Sequence, residues 1–346
     1  MDKLNIIVAV FDSLPPRYLT QWGGDIDFLP ADVDPFVVEH CYTAATITTP
    51  SVTTMFTGLY PQHHKVTSHW ERNLFKLNGG VSTLAQLLHQ NEYQTLLAVN
   101  EYLGLTLYNS SGISKGFEER YEIKCPHNSP KVFTNALTLS RARITRRPFF
   151  LFHHYFNTHM PYGRKKHFAP GGRLRFKWQD PEFSMEQACV KRIKDTAINV
   201  MKPTLDFALE HDAVLLVLSD HGQTFIKRDI GGHAHWVNDD TARVVWLIVN
   251  GPKGVNADLH SLVDLMPTIL GMAGVEAPQC DGVNIVEGAH DEVYCISEWR
   301  APSWPKVFAT ITKDSFVYGV KDIPEGTAIQ EEAQVASRLK ALGYID

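Results

Sequence analysis

Three short groups of residues carry the atoms that a metal-assisted ester chemistry requires. Asp220-His221-Gly222 follows directly on the apolar run 213–218. A carboxylate beside an imidazole offers oxygen and nitrogen donors together, a pair suited to zinc, manganese or a similar divalent ion. Asp12 closes a second apolar run, 6–11, and offers another carboxylate. Thr48-Thr49-Pro50-Ser51 precedes the helical pattern 51–57, which is expected to begin near Pro50-Ser51 with a threonine or serine capping it. A hydroxyl at a helix N-terminus sits where the dipole and the first backbone N–H groups favour an anion. A metal ion beside it would lower its pKa and make it a nucleophile toward phosphorus or sulfur. Each group also has a plain alternative: a turn aspartate, a helix cap beside an incidental histidine, an ordinary N-cap. Chemistry requires that all three meet.

The surrounding pattern supplies a way for them to meet. Apolar runs at 6–11, 95–99, 149–153, 213–218 and 242–249 read as buried strands. Helical patterns at 51–57, 83–89, 185–211 and 259–273 alternate with them. That alternation predicts an α/β sandwich with a mostly parallel central sheet and helices on both faces. In such sheets ligands bind beyond the carboxyl ends of the strands. Asp12, the segment 153–159 and Asp220 all fall there. After Gly282 the pattern changes to strand-like pieces at 293–297, 307–312 and 315–319 and a last helix over 328–342. The expected organisation is a catalytic domain over residues 1–285 and a small antiparallel C-terminal subdomain over 286–346.

Composition narrows the class. The 346 residues are 44% hydrophobic and 21% charged, enough to build a sizeable core and incompatible with an intrinsically disordered chain. A formal charge of −5 gives no pull toward nucleic acid or an anionic membrane. The five cysteines form no CxxC pair, so neither a disulfide framework nor a cysteine zinc site is indicated. Reduced thiols suit a cytoplasmic protein. The apolar run near the N-terminus is too short to cross a membrane and lacks a small-residue cleavage site. The expectation is a soluble, cytoplasmic chain with no membrane partner.

In order along the chain, these segments resemble the sulfatase-like branch of the alkaline phosphatase superfamily. Residues 5–12 resemble its opening strand with a metal aspartate. The stretch from Thr48 through Thr57-Gly58-Leu59-Tyr60-Pro61 is similar to its nucleophile segment. His159-Met160-Pro161-Tyr162 resembles its His-x-Pro-Tyr loop, and Ser219-Asp220-His221-Gly222 its second metal segment. Val263-Asp264-Leu265-Met266-Pro267-Thr268 and the terminal Leu342-Gly343-Tyr344 resemble its late helix and tail. The resemblance implies a metal held by Asp12, Thr48, Asp220 and His221, manganese or zinc by preference. It also implies a place for His233, with His235 beside it, and for His159, near the leaving group or the attacking water. Asn157 stands where a two-metal member has an aspartate, which leaves a second metal open.

Two departures bear on the substrate. Sulfatases mature a cysteine or serine to formylglycine with an arginine four residues on; here those positions hold Thr48 and Val52. Their Gly-Lys-Trp-His segment, which grips sulfate, corresponds to Val99-Asn100-Glu101-Tyr102. Threonine cannot become that aldehyde, whereas threonine nucleophiles occur in superfamily members acting on phosphorus. The resemblance therefore implies a phosphoric ester hydrolase acting on a small phosphate mono- or diester or a phosphonate ester. Thr48 would form a covalent phosphothreonine, and Asn100 and Tyr102 would lie near the substrate. The rival readings are a phosphoryl transferase of the same superfamily, a sulfatase, and a catalytically silent binding protein. A homo-oligomer closing over the site is compatible with all of them.

Overall fold

The computed structural model describes residues 3–67, 76–100, 104–123, 131–160, 162, 184–227, 230–233, 237–297 and 307–320. Ten strands come first along the chain: β1 (Asn5–Phe11), β2 (Phe36–Tyr42), β3 (Gln94–Asn100), β4 (Glu119–Ile123), β5 (Phe149–Tyr155), β6 (Ala213–Leu218), β7 (Thr224–Lys227), β8 (Ile230–Gly232), β9 (Trp246–Val249) and β10 (Gly254–Ser261). Eight of them form one sheet in the order β10-β2-β9-β6-β1-β5-β3-β4. Within it only β9 runs against its neighbours. β1 lies between β5 and β6 and parallel to both, so its carboxyl end opens beside theirs. β7 and β8 pair as a separate two-stranded ribbon. β11 (Val293–Ser297), β12 (Val307–Ile311) and β13 (Phe316–Val320) form a small antiparallel sheet.

The sheet is apolar on both faces because its inner strands are, and the side-chain period of two divides them. Ile7, Ala9 and Phe11 share one face with Leu151, Leu215 and Val217. Against that face pack α6 (Met185–Thr196) and α7 (Lys202–Glu210), through Cys189, Ile193 and Leu205, and α5 (Lys131–Arg143), through Leu137. Ile6, Val8 and Val10 share the opposite face with Phe150 and Phe152. There Val52, Met55 and Phe56 of α1 (Thr48–Thr57) join Leu84 and Leu88 of α3 (Leu84–Gln90), Tyr108 of α4 (Gly104–Ser111) and Ile269 of α9 (Leu265–Met272). Two short helices, α2 (Pro61–His64) and α8 (Asp239–Ala242), complete the set. No helix among the described residues is long and apolar enough to cross a membrane.

The sandwich with helices on both faces is as the alternation predicts, with local corrections. The helix expected from 51 begins at Thr48, and its cap is Ile47, whose side chain makes no capping bond. Thr48 is thus the first helical residue rather than a cap. The run 242–249 yields a strand only over Trp246–Val249, because Ala242 ends α8. The pattern 259–273 divides: β10 continues through Ser261, a 3-10 turn covers Leu262–Asp264, and α9 starts at Leu265. Between α6 and α7 the chain stays helical through a π turn, Ala197–Met201, just before Pro203, which has no N–H to donate. The sequence reading missed β2, β4 and β10, which lie toward the sheet edges and whose apolar positions are interrupted by charged or polar residues. The helix expected over 328–342 lies outside the described residues.

Candidate metal and nucleophile site

Asp12 stands one residue past β1, and its N–H extends the sheet ladder by donating to Tyr155 O at 2.9 Å. Ser13 follows with a left-handed φ of 60°, and its N–H turns to Asp220 Oδ1 at 3.0 Å. Asp220 stands two residues past β6. Its carbonyl accepts from Ser51 Oγ at 2.6 Å, tying the first turn of α1 to the exit of β6. Gly222 is required by packing, since a Cβ there would sit 2.1 Å from the Asp240 carbonyl oxygen. The start of α1 is pinned from the other side by the small sheet: Thr46 N donates to Ile296 O at 3.1 Å, and Ile296 N to Ala44 O at 3.0 Å.

These constraints bring four predicted residues to one point. Asp12, Asp220 and His221 are fully buried, and one ligand atom from each lies within 4.8 Å of the others. Thr48 Oγ1 joins them, 3.3 Å from His221 Nε2 and 3.5 Å from Asp12 Oδ2. His221 Nδ1 lies 3.0 Å from the Gly222 carbonyl. A carbonyl only accepts, so Nδ1 carries the hydrogen and Nε2 presents a lone pair to the cluster. Among the described residues Asp220 Oδ2 has no hydrogen-bond partner, and it faces that lone pair at 3.3 Å. Burial pushes the Asp12 carboxyl well above the usual range, the charge of Asp220 adds to the rise, and hydrogen bonds from Ser13 and Thr48 oppose it. Among the described residues no lysine or arginine pairs with either carboxylate. Two buried carboxylates, one with an orphaned oxygen, and an imidazole lone pair form a donor set that could hold a divalent cation, whose charge would offset the cost of their burial.

His159 and His233 border this cluster. The His233 ring stacks on His221 with centroids 4.1 Å apart. His233 Nδ1 donates to Thr46 O at 2.9 Å, and His159 Nδ1 donates to Met160 O at 2.6 Å. Both histidines therefore turn Nε2 toward each other, and the two Nε2 atoms lie 3.2 Å apart. Two neutral acceptors cannot bond to each other. The contact becomes a hydrogen bond when one ring carries a second proton.

Asn100 ends β3 and is buried, with β5 between it and β1. Tyr102 and His235 lie outside the described residues. His64, next in sequence to the exposed His63, is structural: it accepts from Val66 N at 3.0 Å and meets Thr54 Oγ1 at 3.2 Å, and burial lowers its pKa to about 3. His153 belongs to the core, its ring 4.1 Å from that of Tyr155. Sequence reasoning missed Ser13, Ser51 and Thr158, whose hydroxyl donates to Asp12 O at 2.6 Å. Ser13 and Ser51 adjoin predicted residues; Thr158 had no local signal.

The parallel-sheet sandwich with this cluster at the carboxyl ends of β1 and β6 defines a protein of the alkaline phosphatase superfamily, in its sulfatase-like branch. The chain belongs to the sulfatase family, whose family model matches residues 5–275. Its fold is similar to that of a 2-O GAG sulfatase, with a TM-score of 0.75 at 12% identity, covering 99% of this chain and 93% of that one. It is also similar to a phosphonate monoester hydrolase from Silicibacter pomeroyi, with a TM-score of 0.67 at 14% identity, covering 98% and 94%. In sequence, 100 residues are 30% identical to a 2,3-bisphosphoglycerate-independent phosphoglycerate mutase of Acholeplasma laidlawii (strain PG-8A). That match spans 29% of this chain and 17% of the relative's length.

Proposed function

We propose that this chain is a divalent-metal-dependent hydrolase of phosphoric or phosphonate esters with Thr48 as its nucleophile. The observation that carries the reading is the placement of the Thr48 hydroxyl, at the first residue of α1, against Asp12 and His221. A bound divalent cation supplies Lewis acidity at this point and lowers the pKa of a neighbouring hydroxyl. Thr48 Oγ1 would lose its proton to solvent water before substrate binds, and the resulting alkoxide would attack phosphorus in line with the leaving oxygen. The Oγ–P bond forms, the bond from phosphorus to the leaving oxygen breaks, and the N-terminus of α1 faces the anionic oxygens. The His159–His233 pair, holding one proton between its facing nitrogens, delivers it to the leaving oxygen. The same pair then takes a proton from the water that cleaves the phosphothreonine.

Support for phosphorus over sulfur comes from Thr48 itself, which cannot mature to formylglycine, and from Val52 in place of the assisting arginine. Among the similar proteins, one is named for phosphonate monoester hydrolysis and one as a phosphoglycerate mutase. The test is a screen of phosphate monoesters, phosphate diesters, phosphonate esters and sulfate monoesters with manganese and with zinc. Phosphorus esters should be turned over far faster than any sulfate ester. An aryl sulfate hydrolysed faster than every phosphorus ester would overturn the reading.

A further inference from the structure

His154 is fully buried at the end of β5, in register with Val10 of β1 and Val99 of β3. Its Nδ1 lies 2.5 Å from the hydroxyl of Tyr108 on α4, itself buried. Among the described residues that nitrogen is the hydrogen-bond partner of the phenol, whose O–H therefore donates to it. A neutral imidazole accepting at Nδ1 carries its hydrogen at Nε2. Among the described residues that Nε2 has no hydrogen-bond partner, and it faces Asp12 Oδ2 at 3.8 Å. Neighbouring His153 shows the contrast: among the described residues neither of its nitrogens has a hydrogen-bond partner. The other oxygen of Asp12 is already held, by Ser13 Oγ at 2.9 Å.

We infer that Tyr108 and His154 are a positioning pair for Asp12: the phenol fixes the imidazole tautomer that presents N–H to the Asp12 carboxylate. Ser13 steadies Oδ1 and His154 faces Oδ2, so the carboxylate is oriented from both sides. Carboxylates that bind metal are themselves oriented by such outer partners. This inference rests on Asp12 as a metal ligand for its consequence, and on Tyr108 alone for the tautomer.

Two measurements test it. Nitrogen-15 spectra of imidazole-labelled, metal-free protein should show His154 protonated at Nε2, with mixed tautomers in Tyr108→Phe; an Nδ1–H tautomer in the wild type would overturn the pair. Calorimetric titration with manganese(II) and with zinc(II) should show His154→Phe binding about 10–100-fold more weakly than the wild type. His154→Gln, which keeps an amide N–H near the Nε2 position, should recover most of that loss. Wild-type affinity in His154→Phe, or a glutamine variant as weak as the phenylalanine variant, would overturn the positioning role. Should His154→Phe fail to fold, Tyr108→Phe, which loses one hydroxyl, carries the same comparison. A wild type that binds neither ion would overturn the metal reading itself, an outcome distinct from equal affinities in wild type and variant.

Discussion

Asp12 and Asp220 are two buried carboxylates near one imidazole lone pair, and each residue of that set makes a separable contribution. Asp220→Asn keeps the oxygen that accepts from Ser13 N and His221 N but replaces the orphaned anionic oxygen with an amide. Its metal content after purification and its turnover should both collapse. Its metal-free melting temperature should equal or exceed that of the wild type, because one of two unpaired buried charges is gone. Retained metal and turnover would sink the site assignment. Thr48→Ala should lower turnover on the order of 10³-fold or more, since the attacking oxygen is lost while the carboxylates and His221 remain. Because Ile47 is the cap, the alanine variant should lose less than the ~0.5–2 kcal/mol of a deleted side-chain cap. Mass spectrometry after rapid quenching should find added phosphoryl mass on the Thr48 peptide, and Thr48→Ser should still react. Near-native turnover in the alanine variant without an adduct would assign the attack to water.

At the scale of elements, the site is a junction of β1, β6 and α1, and its precision depends on how closely they approach. Gly222 is the tightest point, where the chain leaving β6 passes under α8. Gly222→Ala forces a methyl group into the Asp240 carbonyl, and neither backbone can yield without moving Asp220 and His221. A loss of about 1–3 kcal/mol in urea unfolding is expected, the range for overpacking a close-packed site. Metal affinity should fall with it. An alanine variant as stable and as metal-competent as the wild type would show that this approach is not what holds Asp220 and His221 in place.

For the whole molecule, a buried acid outside the cluster ties separate segments together. Asp264, between β10 and α9, accepts from His260 Nδ1 at 3.1 Å, Ser261 N at 3.1 Å, His290 Nε2 at 2.7 Å and Val283 N at 2.8 Å. Burial alone would raise its pKa; the hydrogen bonds of His260 and His290 outweigh it and lower the value. Burial disfavours the His290 cation, and Asp264 outweighs that and raises its pKa. The depressed acid adds stability above the ordinary aspartate value of about 3.9, lost as pH falls through its folded value. The raised histidine adds stability below about 6.5, lost as pH rises through its folded value. The pair thus works best in mildly acidic solution. His290→Gln should lower the melting temperature clearly near pH 6 and much less near pH 9. A deficit that is constant or larger at pH 9 would contradict this coupling.

The inner strands β1, β3, β5 and β6 were legible in the sequence because they are buried on both faces and written as unbroken apolar runs. Asp12, Asp220 and His221 were legible because each follows such a run, and a parallel sheet collects the ends of its strands. Thr48 was legible as a hydroxyl at a helix start, although its role there, first residue instead of cap, depended on where Ile47 fell. The strands β2, β4 and β10 were not legible: charged or polar residues interrupt their apolar positions, and pairing makes them strands, β4 with β3 and β2 with β9 and β10. Nor was the orientation of any ring. His153 and His154 are the same residue type one position apart, and the sequence allowed either to be core. The sheet settled the matter, because alternate side chains leave on opposite faces. One ring went to Tyr155 and the other to Tyr108 and Asp12. Residue types and their order along the chain determined which chemistry was available, while contacts between segments 36 to 207 residues apart decided which atoms lie together.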